Sequence, residues 1–232
     1  MASDNRLFEA VCRQAGIVKV DQPMELLDLS AAFSSLPLPK GNRIAIMTLG
    51  GGWGVVTADL CNQFNLEVPD LTPELIAEID EILPPYWSRS NPIDLVGEND
   101  TEIPLTVMEA LLKWEGCDAI INLGILGRRI FTRRLADSVA QADPAYTSEF
   151  LDEAVKLFSD FETVYSAEIV RLMETYGKPI FGVSLLTDEK DATVYRVDGH
   201  ELKAVFYETP ERAVKAAARM VEYNHYRATA TE

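Results

Sequence analysis

The run Ile44-Ala45-Ile46-Met47-Thr48, followed by Leu49-Gly50-Gly51-Gly52-Trp53-Gly54 and then by Val55 to Phe64, constrains the fold more than any other stretch. The apolar run reads as a buried strand, and the apolar spacing after the glycines reads as a helix. A buried strand passing straight into a helix is the repeating step of an α/β fold. The turn between them also has a chemical consequence. Consecutive glycines leave unpaired backbone N–H groups and the positive end of the helix dipole facing one point, with no Cβ in the way. Such a point suits a phosphate or another anion. The stretch has neither the Lys-Ser/Thr of a P-loop nor the GxGxxG spacing of a dinucleotide fingerprint. The same residues therefore also read as a tight turn without a ligand.

From Arg43 onward strands and helices alternate, as in a parallel sheet covered on both faces. The expected strands are Arg43–Thr48, Leu66–Val68, Asp118–Leu123, Pro179–Ser184 and Ala204–Phe206. Between them, Thr72-Pro73-Glu74 starts a helix carrying Leu75, Ile76, Ile79 and Ile82, Pro104 to Trp114 is a second, and Glu149 to Thr175 is strongly helical. Thr209-Pro210-Glu211 opens a closing helix to about Tyr226. These elements fit a flavodoxin-like three-layer domain with strand order 2-1-3-4-5. In that order ligands collect at the carboxyl ends of the strands where the chain reverses direction. Gly50–Gly54 and Asn122–Gly124 both fall on that crevice, which strengthens the phosphate reading.

The first forty residues are too few to hold a core. Leu7, Phe8, Val11 and Ala15 give a helix, capped by Ser3-Asp4 and ended by Gly16; Ile17 to Val20 give a short strand. Asp21 to Ser35 give a second helix with Met24, Leu27, Ala31 and Leu36 inward, broken by Pro37-Leu38-Pro39. The expected division is residues 1–40 as the remnant of a preceding, similar domain and residues 41–232 as the flavodoxin-like domain.

A net charge of −16 argues against nucleic acid and anionic membranes as partners. No apolar run approaches a membrane span and no signal peptide is evident, so a cytoplasmic location is expected. Cys12, Cys61 and Cys117 lack any CxxC spacing, which points to buried free thiols rather than a zinc site or disulfides. Arg128, Arg129, Arg133 and Arg134 form a basic cluster just after a strand end. They read as a solvated helix face paired with carboxylates, or as an attractor for an anionic ligand. The two histidines, His200 and His225, lie away from the glycine turn in sequence, and His200 reads as a surface residue.

Four segments in order resemble the NDP-forming acyl-CoA synthetases, that is, acetate–CoA ligases (ADP-forming), relatives of succinyl-CoA synthetase. They are Gly41 to Ile46 with the glycine turn, Ser90-Asn91-Pro92-Ile93-Asp94-Leu95-Val96-Gly97, Tyr176-Gly177-Lys178-Pro179-Ile180, and Tyr207-Glu208-Thr209-Pro210-Glu211-Arg212-Ala213-Val214. The opening Ser3-Asp4 through Gln14-Ala15-Gly16-Ile17 is similar to that family too. The stretch from Ile125 to Glu168 looks longer than the family connection.

The resemblance implies an enzyme that makes an acyl phosphate, passes the phosphoryl group to a histidine and then to ADP, with two helix N-termini holding the phosphate. Gly50, Gly51, Gly52, Trp53 and Gly54 match the loop of the second such helix. Asn91, Asp94, Asn122 and Gly124 would shape the site, with Asn91 and Asp94 ordering the loop around Pro92 or serving only as its Asx turns. The family's phosphohistidine motif, Ser-His-Thr/Ser-Gly, belongs just before Ser3. No catalytic residue, metal site or bound cofactor is therefore expected within this chain. CoA, ATP/ADP and Mg would serve the complete enzyme. CoA-binding Rossmann and ATP-grasp domains or subunits would be partners, with phosphate or phosphohistidine at the glycine turn. Self-association through the apolar opening helices is also expected. The reading is thus the C-terminal part of an ADP-forming acyl-CoA synthetase, inactive alone. The alternative is a non-catalytic phosphate- or nucleotide-binding module with a regulatory or assembly role.

Overall fold

The computed structural model describes residues 5–97, 100–142, 148–188 and 191–229; the Ser3-Asp4 cap lies outside them. In chain order the elements are α1 (Asn5–Gln14), α2 (Pro23–Phe33), β1 (Ile44–Thr48), α3 (Gly51–Gln63), α4 (Pro73–Asp80), β2 (Ile93–Asp94) and α5 (Ile103–Lys113). Then come β3 (Ala119–Leu123), α6 (Arg128–Ala142), α7 (Ser148–Tyr176), β4 (Ile180–Val183), β5 (Val194–Tyr195), β6 (Ala204–Tyr207) and α8 (Pro210–Thr229).

The sheet order is β2-β1-β3-β4-β6-β5, parallel except for β5, which runs antiparallel to β6. Every residue of β1, β3, β4 and β6 is buried. That is why these strands read as continuous apolar runs: helices cover both faces. Helices α3 and α8 pack on one face, with α2 against α8 and β6, and α5 and α7 pack on the other. The three-layer α/β architecture expected from the sequence is present.

Its edge differs from the expected order. Leu66–Val68 is not a strand; Glu67 alone bridges to Arg43, and the place beside β1 is completed by Ile93 and Asp94. The segment is too short for a ladder because Asn65 turns through φ 57° just before it and Pro69 follows just after. Val194–Tyr195 adds an edge strand that its short, mixed sequence did not announce. Ile17–Val20 is irregular rather than a strand.

The second helix turns the other face inward. Met24 and Leu27 are exposed, while Glu25, Asp28, Leu29 and Ala32 are buried. Two of those are carboxylates, and each meets an arginine of α8: Asp28 pairs with Arg212 and Glu25 with Arg219. Paired charges made an inner face that apolar periodicity assigned to the outside. Leu29, Ala32 and Leu36 join the same core as the sheet residues beyond position 40. At the chain's two ends, the Tyr226 hydroxyl of α8 donates to the carbonyl of Gln14 (3.3 Å), and Gly16 lies under the Tyr226 ring.

Candidate functional site

The site is built on the carboxyl end of β1. Gly50 caps α3 in extended conformation, with φ −152° and ψ 127°. The Thr48 hydroxyl brackets it, donating to the Gly50 carbonyl (2.9 Å) and accepting from the Gly50 N–H (3.2 Å). Among the described residues no side chain caps the helix, and its first turn carries no acidic residue. The glycines serve space rather than unusual backbone angles. A Cβ on Gly50 or Gly52 would meet nothing within 4 Å, whereas one on Gly51 would lie 2.9 Å from Asp94 Oδ2. One on Gly54 would lie 2.9 Å from Pro92 Cβ and 3.1 Å from Thr48 Cγ2. Gly54 is thus the point where α3 sits down on β1 and on the loop before β2. Trp53 is half-buried, and its N–H donates to the Gly50 carbonyl.

Asp94 ends β2 opposite Thr48 and accepts the Val96 N–H (2.8 Å), while the Leu95 N–H donates to the Thr48 carbonyl (2.8 Å). Gly124 follows β3 at φ +80°, a conformation that favours glycine, and donates to the Val183 carbonyl. A Cβ there would reach Leu49 at 3.8 Å, so Gly124 borders the glycine turn. Asn122 does not share this space. Its amide Nδ2 donates to the Tyr165 hydroxyl of α7 (2.8 Å), on the face of the sheet opposite α3, and among the described residues its Oδ1 has no hydrogen-bond partner. Burial pushes the Tyr165 phenol up.

A second helix, α6, also begins at the carboxyl edge, after β3, but its N-terminus is taken. The Glu162 carboxylate of α7 accepts the Gly127 N–H (2.9 Å) and the Arg129 N–H (3.0 Å) and pairs with the Arg129 guanidinium (3.2 Å). Burial raises the Glu162 carboxyl above its ordinary range. Arg129 also pairs with Asp188 and Asp191, Arg133 with Asp152, and Arg128 lies over the Phe158 ring. Arg128, Arg129 and Arg133 are thus engaged with the chain's own carboxylates and rings, and Arg134 is exposed. An acidic residue inside the apolar series Phe158, Phe161, Tyr165 was the available sign of a buried cap. The Thr48 bracket and the Gly54–Pro92 contact had no such sign.

Elsewhere, Cys61 and Cys117 are buried thiols, pushed up by burial to about 12 and about 11, which keeps them protonated. His200 pairs with Glu174 (2.7 Å) at the surface. Among the described residues no group of three or more His, Cys, Asp or Glu is arranged to hold a metal, and no helix is long and apolar enough to cross a membrane.

Residues 44–135, which run from β1 into α6, match the Ligase-CoA domain. The chain is 33% identical over 126 residues to the acetate–CoA ligase [ADP-forming] II subunit alpha of Pyrococcus furiosus, covering 54% of this chain and 27% of that one. Over these residues the chain is similar to the ADP-forming acyl-CoA ligases. It is 29% identical over 151 residues to the 4-hydroxybutyrate–CoA ligase [ADP-forming] of Nitrosopumilus maritimus, covering 65% of this chain and 21% of the relative. The fold superposes on the dinucleotide forming acetyl-coenzyme A synthetase 1 of Ca. Korarchaeum cryptofilum, solved with phosphate and ADP, with a TM-score of 0.70 at 22% identity. That likeness covers 100% of this chain and 43% of the synthetase chain. The chain therefore spans about a quarter of the length of these two ligases and less than half of the solved synthetase.

Proposed function

We propose that the chain is the C-terminal part of an ADP-forming acyl-CoA synthetase and that the start of α3 holds the phosphate of a phosphohistidine presented by another segment. The overall reaction takes acyl-CoA, NDP and phosphate to carboxylate, NTP and CoA. CoA, ADP/ATP and Mg are bound by other parts of the enzyme, namely a CoA-binding Rossmann domain and an ATP-grasp domain or subunit, in the cytoplasm. Residues 1–40 are then the tail of a preceding domain of the same kind. This chain alone catalyses no acyl-CoA synthesis.

The observation that carries the reading is the contrast between the two helix starts. The start of α6 is satisfied internally by Glu162, whereas α3 has no side-chain cap and opens through Gly50 and Gly52 beside the topological switch point. Asp94 stands on the Gly51 side, and like charge keeps an anion off that wall. The ligand accordingly approaches over Gly50 and Gly52, where backbone N–H groups replace its hydration.

The test is a titration with inorganic phosphate followed by amide chemical shifts. The expected result is a response confined to Gly51, Gly52 and Trp53, at millimolar affinity, since an exposed helix terminus contributes only about 0.3–1 kcal/mol. Gly52→Val, whose side chain would stand in the open space, abolishes it in a folded protein. Shifts spread over the surface, or unchanged in Gly52→Val, overturn the proposal. A local response in a chain that fails to support acyl-CoA synthesis with the remaining domains supplied would favour the non-catalytic phosphate-binding module.

A further inference from the structure

We propose that Asn91 is a positioning residue for the anion site at the start of α3, acting as a peptide unit that the edge of the sheet lacks. The inference rests on the phosphate reading above. Along β1 the outer hydrogen bonds are supplied in turn by three different segments. The Ile44 N–H donates to the Glu67 carbonyl (2.7 Å), the backbone groups at the carboxyl end pair with Ile93–Leu95, and the gap between falls to a side chain. Asn91 Nδ2 donates to the Ile44 carbonyl (2.9 Å), and Asn91 Oδ1 accepts the Ile46 N–H (2.9 Å). One donor and one acceptor, held in a planar amide, are what a neighbouring strand would offer there. The second Nδ2 hydrogen reaches the Pro69 carbonyl (3.1 Å), so the same amide ties in the turn after the Glu67 bridge. Asn91 thus has all three of its amide contacts directed to backbone groups of other segments.

The residues after it carry that fixed point to the site. Pro92 abuts Gly54, which also faces Thr48 of β1, and Asp94 abuts Gly51 in the first turn. The β1 edge, the Asn91 amide, Pro92 and Gly54 form one chain of contact that sets where the α3 N–H groups lie. It also sets how far the Asp94 carboxylate stands from them. Asn91 touches no ligand in this scheme; it acts through Gly54 and Asp94.

The variant Asn91→Asp keeps an acceptor for the Ile46 N–H but turns an oxygen toward the carbonyls of Ile44 and Pro69. Asn91→Ser is the second variant, smaller and uncharged, for use if the first is not folded. Asp28→Asn, on the distant α2–α8 contact, is the control for lost stability alone. Each folded variant is titrated with inorganic phosphate while the Gly51 and Gly52 amides are followed. The expected result is a loss of affinity of about two- to fivefold in the Asn91 variant, the size of one exposed helix-terminus interaction. The control keeps the parent's affinity. An Asn91 variant that is folded and binds as the parent does overturns the inference while leaving the phosphate reading intact. An equal loss in Asp28→Asn also overturns it, since the effect would then follow stability and not position. A parent without any local response overturns the phosphate reading itself, and the positioning role with it.

Discussion

Arg212 grips Asp28 across 184 residues of chain, with Nη2 2.6 Å from Oδ1 and Nε 2.9 Å from Oδ2. Asp28 is 4% exposed, and its backbone carbonyl accepts the buried Tyr207 hydroxyl. A two-pronged pair of this kind fixes α2 against α8 in one register. Removing Asp28 takes away the two-pronged partner of a mostly buried guanidinium and leaves Arg212 only the exposed Glu208 carboxylate. Asp28→Ala is expected to lower stability by about 3 kcal/mol, read from the urea midpoint at constant m-value. Replacing both partners with apolar residues of similar volume should cost clearly less. A double variant as unstable as the single one would show that packing, and not charge, holds the contact.

The two inner glycines of α3 should respond in opposite directions. Gly54→Ala pushes a methyl against Pro92 and Thr48, both packed, and is expected to cost about 1–3 kcal/mol. Gly52→Ala meets open space in a helical turn and is expected to stabilise by about 0.5 kcal/mol. Thermal unfolding of both variants side by side checks the pair. A destabilised Gly52→Ala would reveal a constraint at this turn beyond the contacts described.

Glu162 should make stability fall as pH rises. Burial raises its carboxyl above the ordinary 4.5, against the hydrogen bonds from Arg129 and Gly127 and the Arg129 charge. The folded state then holds this proton more tightly than the unfolded one. Stability from this group is therefore greatest below pH 4.5 and declines from there up through the raised folded value. Glu162→Gln retains an oxygen for the two N–H groups and cannot ionise. The difference in unfolding free energy between parent and variant, followed over mildly acidic pH, should shift in the variant's favour as pH rises and then level off. A pH-independent difference would remove the assignment.

The opening helix should be adhesive. Leu7, Phe8 and Val11 of α1 are each more than half exposed, followed by Ile17. A contiguous apolar stripe of this size in water favours association. Concentration-dependent sedimentation and binding of a hydrophobic dye are expected for the parent, both reduced in a Phe8→Ser, Val11→Ser variant. A parent that sediments as a monomer at high concentration and binds no dye would contradict this.

Much of the sheet was legible because its strands are buried on both faces and so appear as unbroken apolar runs, as in Ala119 to Leu123. Helix starts marked by proline were equally plain, at Pro73, Pro104 and Pro210. What escaped was structure made by polar atoms acting out of type. Glu25 and Asp28 occupy an inner face that hydrophobic spacing gave to Met24 and Leu27, because their arginine partners lie on the closing helix. Asn91 completes a strand edge without being in a strand, and its sequence neighbourhood shows only a turn. Asn122 was grouped with Gly124 because the two are close in sequence. Alternation along β3 instead sends the Asn122 side chain to Tyr165, on the far face.

The meeting of Tyr226 with Gln14 and Gly16 places the end of the first helix and the last helix at one corner of the molecule. A unit whose two junctions share a seam can be spliced into a longer polypeptide, or joined at either end, without threading a linker across its surface. The seam is formed by α1 and the last turns of α8, while the glycine turn opens at the carboxyl edge of the sheet. Whatever is joined at that seam accordingly leaves the glycine turn, at the other edge of the sheet, unaltered.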